Sequence, residues 1–277
     1  MDSLTQEAIE HYLEGKEHGR LLTPHGKLEF ERSKDILLRH LFQPPAKVLD
    51  LGGGTGHYSF WLANLGYEVH LVDAMESHIE VAKKLVQSYT LASISVGDAR
   101  GTRFGDESFD MVLLFGPLYH LTERRDRIQA LEEASRVLKP GGRIFAVGIS
   151  RFASLFDGYF RGLIDDPNFQ TIVDLDLVDG QHRNPTGHPD YFTTTKFHEP
   201  NELKGELQHA GFLDISLHGI EGPAWLMPNY AELAESPLNE KLMGHLREIE
   251  QQPSLLGMSA HIMAVGRKWL EPREIAE

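Results

Sequence analysis

The chain has 277 residues, with 41 acidic and 27 basic side chains, a formal net charge of −14 and no cysteine. The lack of cysteine excludes disulfide bonds, cysteine-ligated zinc, iron–sulfur clusters and thiol nucleophiles. The negative charge disfavours nonspecific binding to nucleic acid, because contacts with phosphates need lysine or arginine.

The first residues and the hydropathy of the chain predict a cytoplasmic protein. Residues 1–7 have neither the basic segment nor the apolar core of a secretory signal. No apolar stretch approaches the roughly 18 residues that indicate a transmembrane helix, so no membrane partner is expected.

Short apolar runs alternate with amphipathic segments between residues 45 and 150. Strands are predicted over residues 47–51, 68–73, 94–98, 109–115 and 143–149. Helices are predicted over residues 57–65, 79–86 and 125–138, the last of which is followed by Pro140-Gly141-Gly142. Strands that alternate with helices need crossover connections, so the predicted fold class is α/β with a doubly wound, mostly parallel sheet.

The rest of the chain is predicted to cover and complete the 45–150 core. Residues 1–44 are expected to form an N-terminal helical cover. Residues 151–198 break the alternation and are interpreted as a cap or lid insertion, since long segments of this kind are usually functional, with peripheral loops as the alternative. Residues 199–277 are expected to complete the sheet, with a helix at 199–210, strands at 212–220 and 261–268, and a further insertion at 222–258.

A glycine-rich loop, Asp50-Leu51-Gly52-Gly53-Gly54-Thr55-Gly56, joins the first predicted strand to the next helix. Such a turn lets a ligand approach the backbone at the start of a helix. The dinucleotide fingerprint needs a small residue at its sixth position, which is His57 when counted from Gly52. In addition, the carboxylate of Asp50 would repel a pyrophosphate but attract an ammonium group. The loop therefore favours S-adenosylmethionine, which has an amino-acid tail and no phosphate, over a nicotinamide dinucleotide.

Two further acids close the next two predicted strands. Asp73 ends the second strand, where a carboxylate can accept hydrogen bonds from both ribose hydroxyls. Asp98 ends the third strand, where it could accept the exocyclic amine of adenine while the amide of Ala99 meets a ring nitrogen. Acids at three successive strand ends lie on the edge where open α/β sheets bind ligands. This arrangement is hard to attribute to solvated turns alone.

The sequence resembles the class I S-adenosylmethionine-dependent methyltransferases, specifically the small-molecule type related to quinone-biosynthesis methyltransferases. The resemblance covers about residues 45–150 and the strand-forming tail, and its motifs are Val48–Gly56, Asp73, Gly97-Asp98-Ala99, Phe109–Leu113, Ala134–Gly142 and Leu207–Phe212. It implies a Rossmann-like, seven-stranded sheet whose last strand, at 261–268, is antiparallel. It also implies that Gly52 and Gly54 approach the cofactor, that Asp73 binds ribose and that Asp98 and Ala99 contact adenine. The candidate cofactor contacts are completed by Ala74, Phe115 and, as argued above, Asp50.

The end of the fourth predicted strand, Phe115-Gly116-Pro117-Leu118-Tyr119-His120, lies over the site of transfer in this fold. Methyl transfer is an in-line displacement that needs alignment and sometimes the removal of a proton. The chain lacks the Asn/Asp-Pro-Pro-aromatic sequence of nucleobase amine methyltransferases, which argues against adenine or cytosine as acceptors. His120 is a candidate general base, with a role in capping the following loop as the alternative.

Candidate substrate contacts lie at the end of the fourth predicted strand and in the predicted cap, which is either a polar lid or a surface loop. They are Tyr119, His182, Arg183, Tyr191 and His198. The histidines lack the tight spacing of a metal site, so no metal is expected. Aromatic side chains suggest an apolar or planar acceptor, although they could also form the core of the insertions: Phe152, Phe156, Tyr159, Phe160, Phe169 and Trp225.

Tyr12 and Arg20 belong to a glycine-interrupted helical segment that propensity would not favour. In similar methyltransferases such a segment covers the cofactor, and an arginine there can bind its carboxylate with two hydrogen bonds. The alternative is a packing tyrosine and a solvated arginine.

The predicted function is S-adenosylmethionine-dependent methyl transfer by direct displacement to a small-molecule acceptor. The alternatives are an RNA or protein methyltransferase, an NAD(P)-dependent oxidoreductase and a protein that binds S-adenosylmethionine without catalysis. No nucleic-acid partner is expected, and association into a homo-oligomer is left open.

Overall fold

The computed structural model describes residue 21, residues 23–85 and residues 90–270. The helices are α1 Pro24–His40, α2 His57–Asn64, α3 Glu76–Leu85, α4 Pro117–His120, α5 Arg124–Val137, α6 Ala153–Arg161, α7 Pro167–Asp179, α8 Pro200–His209, α9 Tyr230–Ala234 and α10 Leu238–Ile249. The strands are β1 Lys47–Leu51, β2 Glu68–Asp73, β3 Ser93–Val96, β4 Phe109–Leu114, β5 Leu138–Ser150, β6 Gln181–His182, β7 Thr195–His198, β8 Phe212–Gly219 and β9 His261–Lys268. No helix in the described part of the chain is long and apolar enough to cross a membrane.

The strands form one mixed sheet in which β3, β2, β1, β4 and β5 are parallel neighbours in that order. β9 pairs antiparallel with both β5 and β8. The predicted α/β class and the antiparallel last strand are therefore confirmed. The predicted number of seven strands is wrong for the described residues, which form nine, because β6 and β7 extend the sheet beyond β5. Since the carboxyl ends of β1 to β4 meet at one edge, the loops that follow them lie side by side.

Two apolar layers cover the two faces of the sheet, because alternate residues of a strand point to opposite faces. Val48 and Leu113 belong to the layer that packs against α1, α2 and α3, whereas their neighbours Leu49 and Val112 belong to the layer that packs against α5 and α8. The strands are therefore buried on both sides, as their continuous apolar sequences require.

The segments predicted as insertions contain regular structure. Within residues 151–198, the helices α6 and α7 are followed by β6 and β7, and β7 pairs in parallel with the last two residues of β5. Within residues 222–258, α9 and α10 share an apolar cluster with Leu28 of α1 and Trp225. The division of the chain into four parts stays a prediction.

α1 is attached to the end of α10 by a buried carboxylate. Glu250 accepts hydrogen bonds from Arg32 (2.5 Å), Arg39 (2.6 Å) and His218 (3.0 Å). Burial acts to raise the pKa of Glu250, but the hydrogen bonds from His218, Arg39 and Arg32 outweigh it and lower the pKa to about 2. The network holds α1, and with it Glu29 and Ser33, beside the carboxyl ends of the parallel strands.

Candidate active site

A cleft follows the carboxyl ends of β1, β2, β3 and β4. Among the predicted site residues, it is lined by Gly52, Gly54, Asp73, Ala74, Asp98, Ala99, Phe115, Tyr119 and His120. These residues come from four separate loops, so the parallel sheet brings them together as the sequence predicts. Tyr12 and Arg20 lie outside the described residues.

The glycine loop is bound to the end of β2. The amide of Gly52 donates to the carbonyl of Val72 (2.7 Å), and the amide of Gly54 donates to Oδ2 of Asp73 (2.8 Å). Both glycines have positive φ angles, +78° for Gly52 and +58° for Gly54, which other residues adopt only with strain. A Cβ added to Gly54 would meet no atom within 4 Å, so the backbone borders open space where a ligand can approach it.

Asp50 does not line this cleft, contrary to the prediction that it contacts the cofactor directly. It is fully buried beneath the glycine loop, where its Oδ2 accepts a hydrogen bond from the hydroxyl of Ser59 (2.6 Å). Burial raises the pKa of Asp50 to about 6. A Cβ on Gly53 would lie 2.5 Å from this carboxyl group, so the loop rests closely on it.

Asp73 lines the cleft from the end of β2, and its carboxylate also organises the surrounding backbone. Besides the amide of Gly54, it accepts the amide of Met75 (2.8 Å) and approaches Nδ1 of His78 at 3.1 Å. The side chain is thereby held at the position predicted for ribose binding.

Asp98 lines the cleft but is engaged by its neighbour Arg100. Both carboxylate oxygens accept from this guanidinium, with 2.7 Å between Nη2 and Oδ2. Burial acts to raise the pKa of Asp98, but the hydrogen bonds from Arg100 lower it below its usual range. The carboxylate is therefore ionised and oriented, although fewer of its lone pairs remain for an adenine amine.

The lining of the cleft has a negative charge. Glu29, Asp73 and Asp98 contribute carboxylates, and no lysine or arginine lines it among the described residues. Such a cleft favours a ligand with positive charge over a pyrophosphate. Sequence reasoning did not identify Glu29, because it lies on α1 and not at the end of a predicted strand.

A second cavity, of about 270 Å³, adjoins the cleft and shares Tyr119 with it. Of the predicted substrate contacts, Tyr119, His182 and Tyr191 line this cavity. The remaining walls are largely apolar and come from the segments predicted as insertions and from the sheet edge: Ile149, Ala153, Phe169, Phe192, Phe197, Trp225 and Ala260.

Two of the predicted substrate contacts lie elsewhere. Arg183 is exposed and its guanidinium lies 3.4 Å from Asp179. His198 is completely buried against Gly148, with Nε2 at 3.4 Å from Glu206, and burial lowers its pKa. His198 faces away from the cavity because Phe197, the preceding residue of β7, lines it, and successive residues of a strand point to opposite sides.

His182 shapes the second cavity without presenting a basic nitrogen to it. Its Nδ1 lies 2.7 Å from the carboxylate of Asp176, and its Nε2 lies 2.6 Å from the carbonyl oxygen of Tyr191. Both ring nitrogens are therefore engaged by neighbouring oxygen atoms. His182 therefore positions Tyr191, whose hydroxyl donates to Asp166 (2.5 Å).

A third group of polar residues lies between the two cavities. One carboxylate oxygen of Glu29, one of Glu221 and one ring nitrogen of His261 lie within 4.8 Å of one another. Glu29 lines the cleft and His261 lines the second cavity. The sequence did not single out these residues, which have no common motif.

Comparison with known proteins shows which family has this sequence and this fold. A family model described as a methyltransferase domain matches residues 49–146. The ubiquinone/menaquinone biosynthesis C-methyltransferase UbiE of Chromobacterium violaceum is 32% identical over 187 residues, which cover 64% of this chain and 70% of that protein. The chain belongs to the class I S-adenosylmethionine-dependent methyltransferases. The predicted cofactor, S-adenosylmethionine, and the prediction of an enzyme that methylates small molecules are thereby confirmed.

Other relatives of this methyltransferase are similar over shorter regions or in fold alone. The malonyl-[acyl-carrier protein] O-methyltransferase of Methylococcus capsulatus is 38% identical over 109 residues, 39% of this chain and 38% of that protein. A Methanosarcina mazei methyltransferase has the same fold, with a TM-score of 0.58 at 19% identity, over 85% of this chain and 98% of that one. Phosphoethanolamine N-methyltransferase 2 of Haemonchus contortus, solved with S-adenosyl-L-methionine, aligns with a TM-score of 0.54 at 17% identity, over 86% of this chain and 52% of that one.

The cleft of this methyltransferase fits the cofactor on its own chemistry. The open space beside Gly54 admits a ligand against the backbone, and the negative lining suits a molecule that is positive at its sulfur and its amine. Apolar side chains such as Met75, Phe115 and Leu121 offer surfaces for a flat ring.

Proposed function

We propose that this methyltransferase acts on a small, planar and largely apolar acceptor that occupies the second cavity. The observation that carries the proposal is the shared wall at Tyr119, which puts a mostly apolar cavity directly beside the cofactor cleft. A protein that bound the cofactor without catalysis would need no such space. The cytoplasmic location inferred from the sequence stays a prediction.

The cofactor-binding roles inferred from the resemblance form part of the proposal. Gly52 and Gly54 would admit the amino-acid end of the cofactor, Asp73 would accept its ribose hydroxyls, and Asp98 with Ala99 would contact adenine. Ala74 and Phe115 border the same space. When bound, the cofactor supplies a methyl group on a positively charged sulfur, and the residues of this chain align the acceptor with it.

The second cavity combines aromatic walls with a small polar group at one side. Arg161 of α6 lies 3.1 Å from Asp157 and 3.5 Å from Asp190, and all three residues line the cavity. Aromatic walls suit a planar acceptor, and a few polar groups would orient it. The names of the UbiE relatives, which refer to ubiquinone and menaquinone biosynthesis, support an acceptor of the quinol or phenol type.

Replacing Asp73 with alanine is expected to weaken the binding of S-adenosylmethionine by about tenfold or more. The variant loses the proposed ribose contacts as well as the bond that orients Gly54, and a charge-assisted hydrogen bond contributes about 1.5–3 kcal/mol. Isothermal titration calorimetry measures the change. Glu80→Ala, which removes an exposed acid from α3, is the matched control and should bind like the wild type. Equal affinities for wild type and Asp73→Ala would contradict the assignment.

Replacing Trp225 with leucine is expected to raise the KM for an aromatic acceptor at least threefold and to leave cofactor affinity unchanged. Trp225 is buried in the wall of the second cavity, where Nε1 donates to the carbonyl of Met258 (2.8 Å). The assay follows transfer of a labelled methyl group to 1,4-naphthohydroquinone, 2-naphthol and the aliphatic control cyclohexanol. Trp269→Leu, at a half-exposed tryptophan outside both cavities, is the matched control.

The same labelled cofactor, incubated with a metabolite extract, tests the acceptor class more broadly. We expect the label in a planar, apolar small molecule. Label only in protein, RNA or a polar aliphatic product would overturn the proposed acceptor, while lack of cofactor binding would overturn the cofactor site itself.

A further inference from the structure

Glu221 and His261 meet at the start of the last strand pair. Glu221 follows β8 and His261 begins β9, and these strands pair antiparallel with Gly219 opposite Ile262. Nδ1 of His261 lies 2.6 Å from Oε1 of Glu221. The contact therefore joins two residues that lie on either side of the long 222–258 segment.

The carboxylate of Glu221 is held rigidly. Its Oε2 accepts hydrogen bonds from the hydroxyl of Ser259 (2.8 Å) and from the backbone amide of His261 (3.0 Å). Ser259 in turn accepts the amides of Glu221 (3.0 Å) and Gly222 (3.1 Å). Burial acts to raise the pKa of Glu221, but its interaction with His261 lowers the pKa overall. An ionised carboxylate can only accept, so Nδ1 of His261 must carry hydrogen.

This hydrogen bond determines which ring nitrogen is basic. In a neutral imidazole one nitrogen is a donor and the other an acceptor, so a ring that donates from Nδ1 has its lone pair on Nε2. A carboxylate that accepts from Nδ1 also stabilises the imidazolium that forms when Nε2 takes up a proton.

The position of His261 is suited to the acceptor. His261 lines the second cavity, opposite Ile149 at the carboxyl end of β5. Val147, two residues earlier in β5, lines the cofactor cleft. The ring therefore lies along the same sheet edge as the cofactor site, next to the space assigned to the acceptor.

We propose that His261 is the catalytic base of the methyl transfer and that Glu221 is its positioning residue. The proposal rests on the proposed function, since it assumes an acceptor with a hydroxyl or comparable group in the second cavity. As the methyl group transfers, the acceptor atom forms its bond to carbon, the carbon–sulfur electron pair stays on sulfur, and the acceptor's proton moves to Nε2 of His261. The proton then passes to solvent, so the base is regenerated.

The charged groups around this ring come from several elements. Glu221 contacts it from the end of β8, and Glu29 of α1 has a carboxylate oxygen within 4.8 Å of the same cluster. Asp157 and Arg161 of α6, with Asp190 and His182, line the cavity beyond it. Two carboxylates, those of Glu221 and Glu29, therefore lie close to the ring.

The first arm of the experiment uses the full-length protein without acceptor. Two-bond ¹H–¹⁵N NMR with ¹⁵N-labelled histidine distinguishes the two tautomers of each ring, and loss of one set of signals in His261→Gln assigns those of His261. We expect the tautomer with hydrogen on Nδ1 in the wild type. The other tautomer would overturn the proposal. Occupation of Nε2 by added Zn²⁺ or Mn²⁺ at micromolar concentration would also overturn it, because a metal would take the lone pair.

The second arm measures turnover with the best of the aromatic probes. His261→Gln is expected to lower kcat by about 100-fold or more, within the usual contribution of a general base, and to abolish the acid limb of the pH–rate profile. Glu221→Gln should lower kcat by about tenfold with a smaller change in KM. His245→Gln, at an exposed histidine of the same 222–258 segment, is the matched control.

Calorimetry separates failure of this proposal from failure of the proposed function. All three variants should bind S-adenosylmethionine like the wild type. If His261→Gln keeps the acid limb and His120→Gln loses it, His120 is the base and the assignment to His261 is wrong. A wild type that binds no cofactor, or methylates no small molecule, would instead contradict the proposed function, while the tautomer of His261 would still test the geometry.

Discussion

Replacing Gly52 with alanine is expected to weaken S-adenosylmethionine binding by at least tenfold and to lower the unfolding temperature. Gly52 has a φ angle of +78°, and an added Cβ would lie 2.5 Å from Cγ and 2.6 Å from Cδ of Pro117. Left-handed backbone costs a residue other than glycine about 1–3 kcal/mol. The clash adds to this strain, because the methyl group meets a proline ring that cannot rotate away.

The consequence for binding follows from the position of the clash. Gly52 begins the loop after β1 and Pro117 begins α4 after β4, and both residues line the cleft. Separating them moves the glycine loop away from Asp73 and shifts Tyr119 and His120 on α4. Calorimetric titration and thermal unfolding together measure the two effects.

Gly211→Ala separates strain from displacement. Gly211 follows α8 and has a φ angle of +87°, and a Cβ added to it would meet no atom within 4 Å. It does not line the cleft, so this variant should lose stability while it keeps cofactor affinity. If Gly52→Ala bound the cofactor as tightly as Gly211→Ala does, the proposed close packing of the two loops would be refuted.

Replacing Arg127 with methionine is expected to lower the free energy of unfolding by about 3–5 kcal/mol at pH 7. Arg127 is buried and donates to both carboxylate oxygens of Glu206, at 3.0 Å from Nε to each and 2.7 Å from Nη2 to Oε1. It also donates to the carbonyl oxygens of Leu121 and Thr122. The substitution leaves the carboxylate of Glu206 buried beside His198 without its guanidinium.

Two variants serve as controls for this result. Arg125→Met, two residues earlier at an arginine whose side chain is 85% exposed, should change stability by no more than about 0.5 kcal/mol. Arg127→Met combined with Glu206→Leu should recover much of the loss, because a buried ion pair can often be replaced by apolar side chains. A single variant as stable as the wild type in urea unfolding would show that the ion pair does not stabilise the fold.

The pH dependence of the same pair has a definite sign. Burial acts to raise the pKa of Glu206, but hydrogen bonds from His198 and Arg127 lower it from 4.5 to about 2 in the folded protein. A lowered pKa contributes stability above pH 4.5 that is lost as the pH falls towards 2. The difference between the wild type and Arg127→Met should therefore shrink between these pH values.

The glycine loop shows how far sequence reasoning reaches. A strand, a turn rich in glycine and a helix follow one another within a few residues, so their order and the positive φ angles can be predicted locally. Asp73 and Asp98 are predictable for a related reason, since residues that end parallel strands or closely follow them must lie at one edge of the sheet. In the structure the glycine loop, Asp73 and Asp98 line one cleft, as the local pattern and the parallel sheet together predict.

Asp50 and His198 show where the same reasoning fails. Both are polar residues of predicted functional segments, but each side chain points into the protein, towards Ser59 and Glu206 respectively. The direction depends on which helix packs over that face of the strand. No sequence pattern predicts that Ser59 contacts Asp50 or that Glu206 contacts His198.

The sequence by itself determined the α/β class, the absence of cysteine chemistry, and the loop and acids that identify the cofactor. These features follow from chain-local periodicity and from the geometry of short turns. Only the tertiary structure decided that Glu29, Glu221 and His261 lie together and that Tyr119 separates two cavities. Glu221 and His261 are 40 positions apart, and they meet because β8 and β9 pair across an insertion of unrelated sequence. The net charge of −14 argued against binding to nucleic acid on the sequence alone. The fold was needed to show that three of the acidic side chains, Glu29, Asp73 and Asp98, line the cleft.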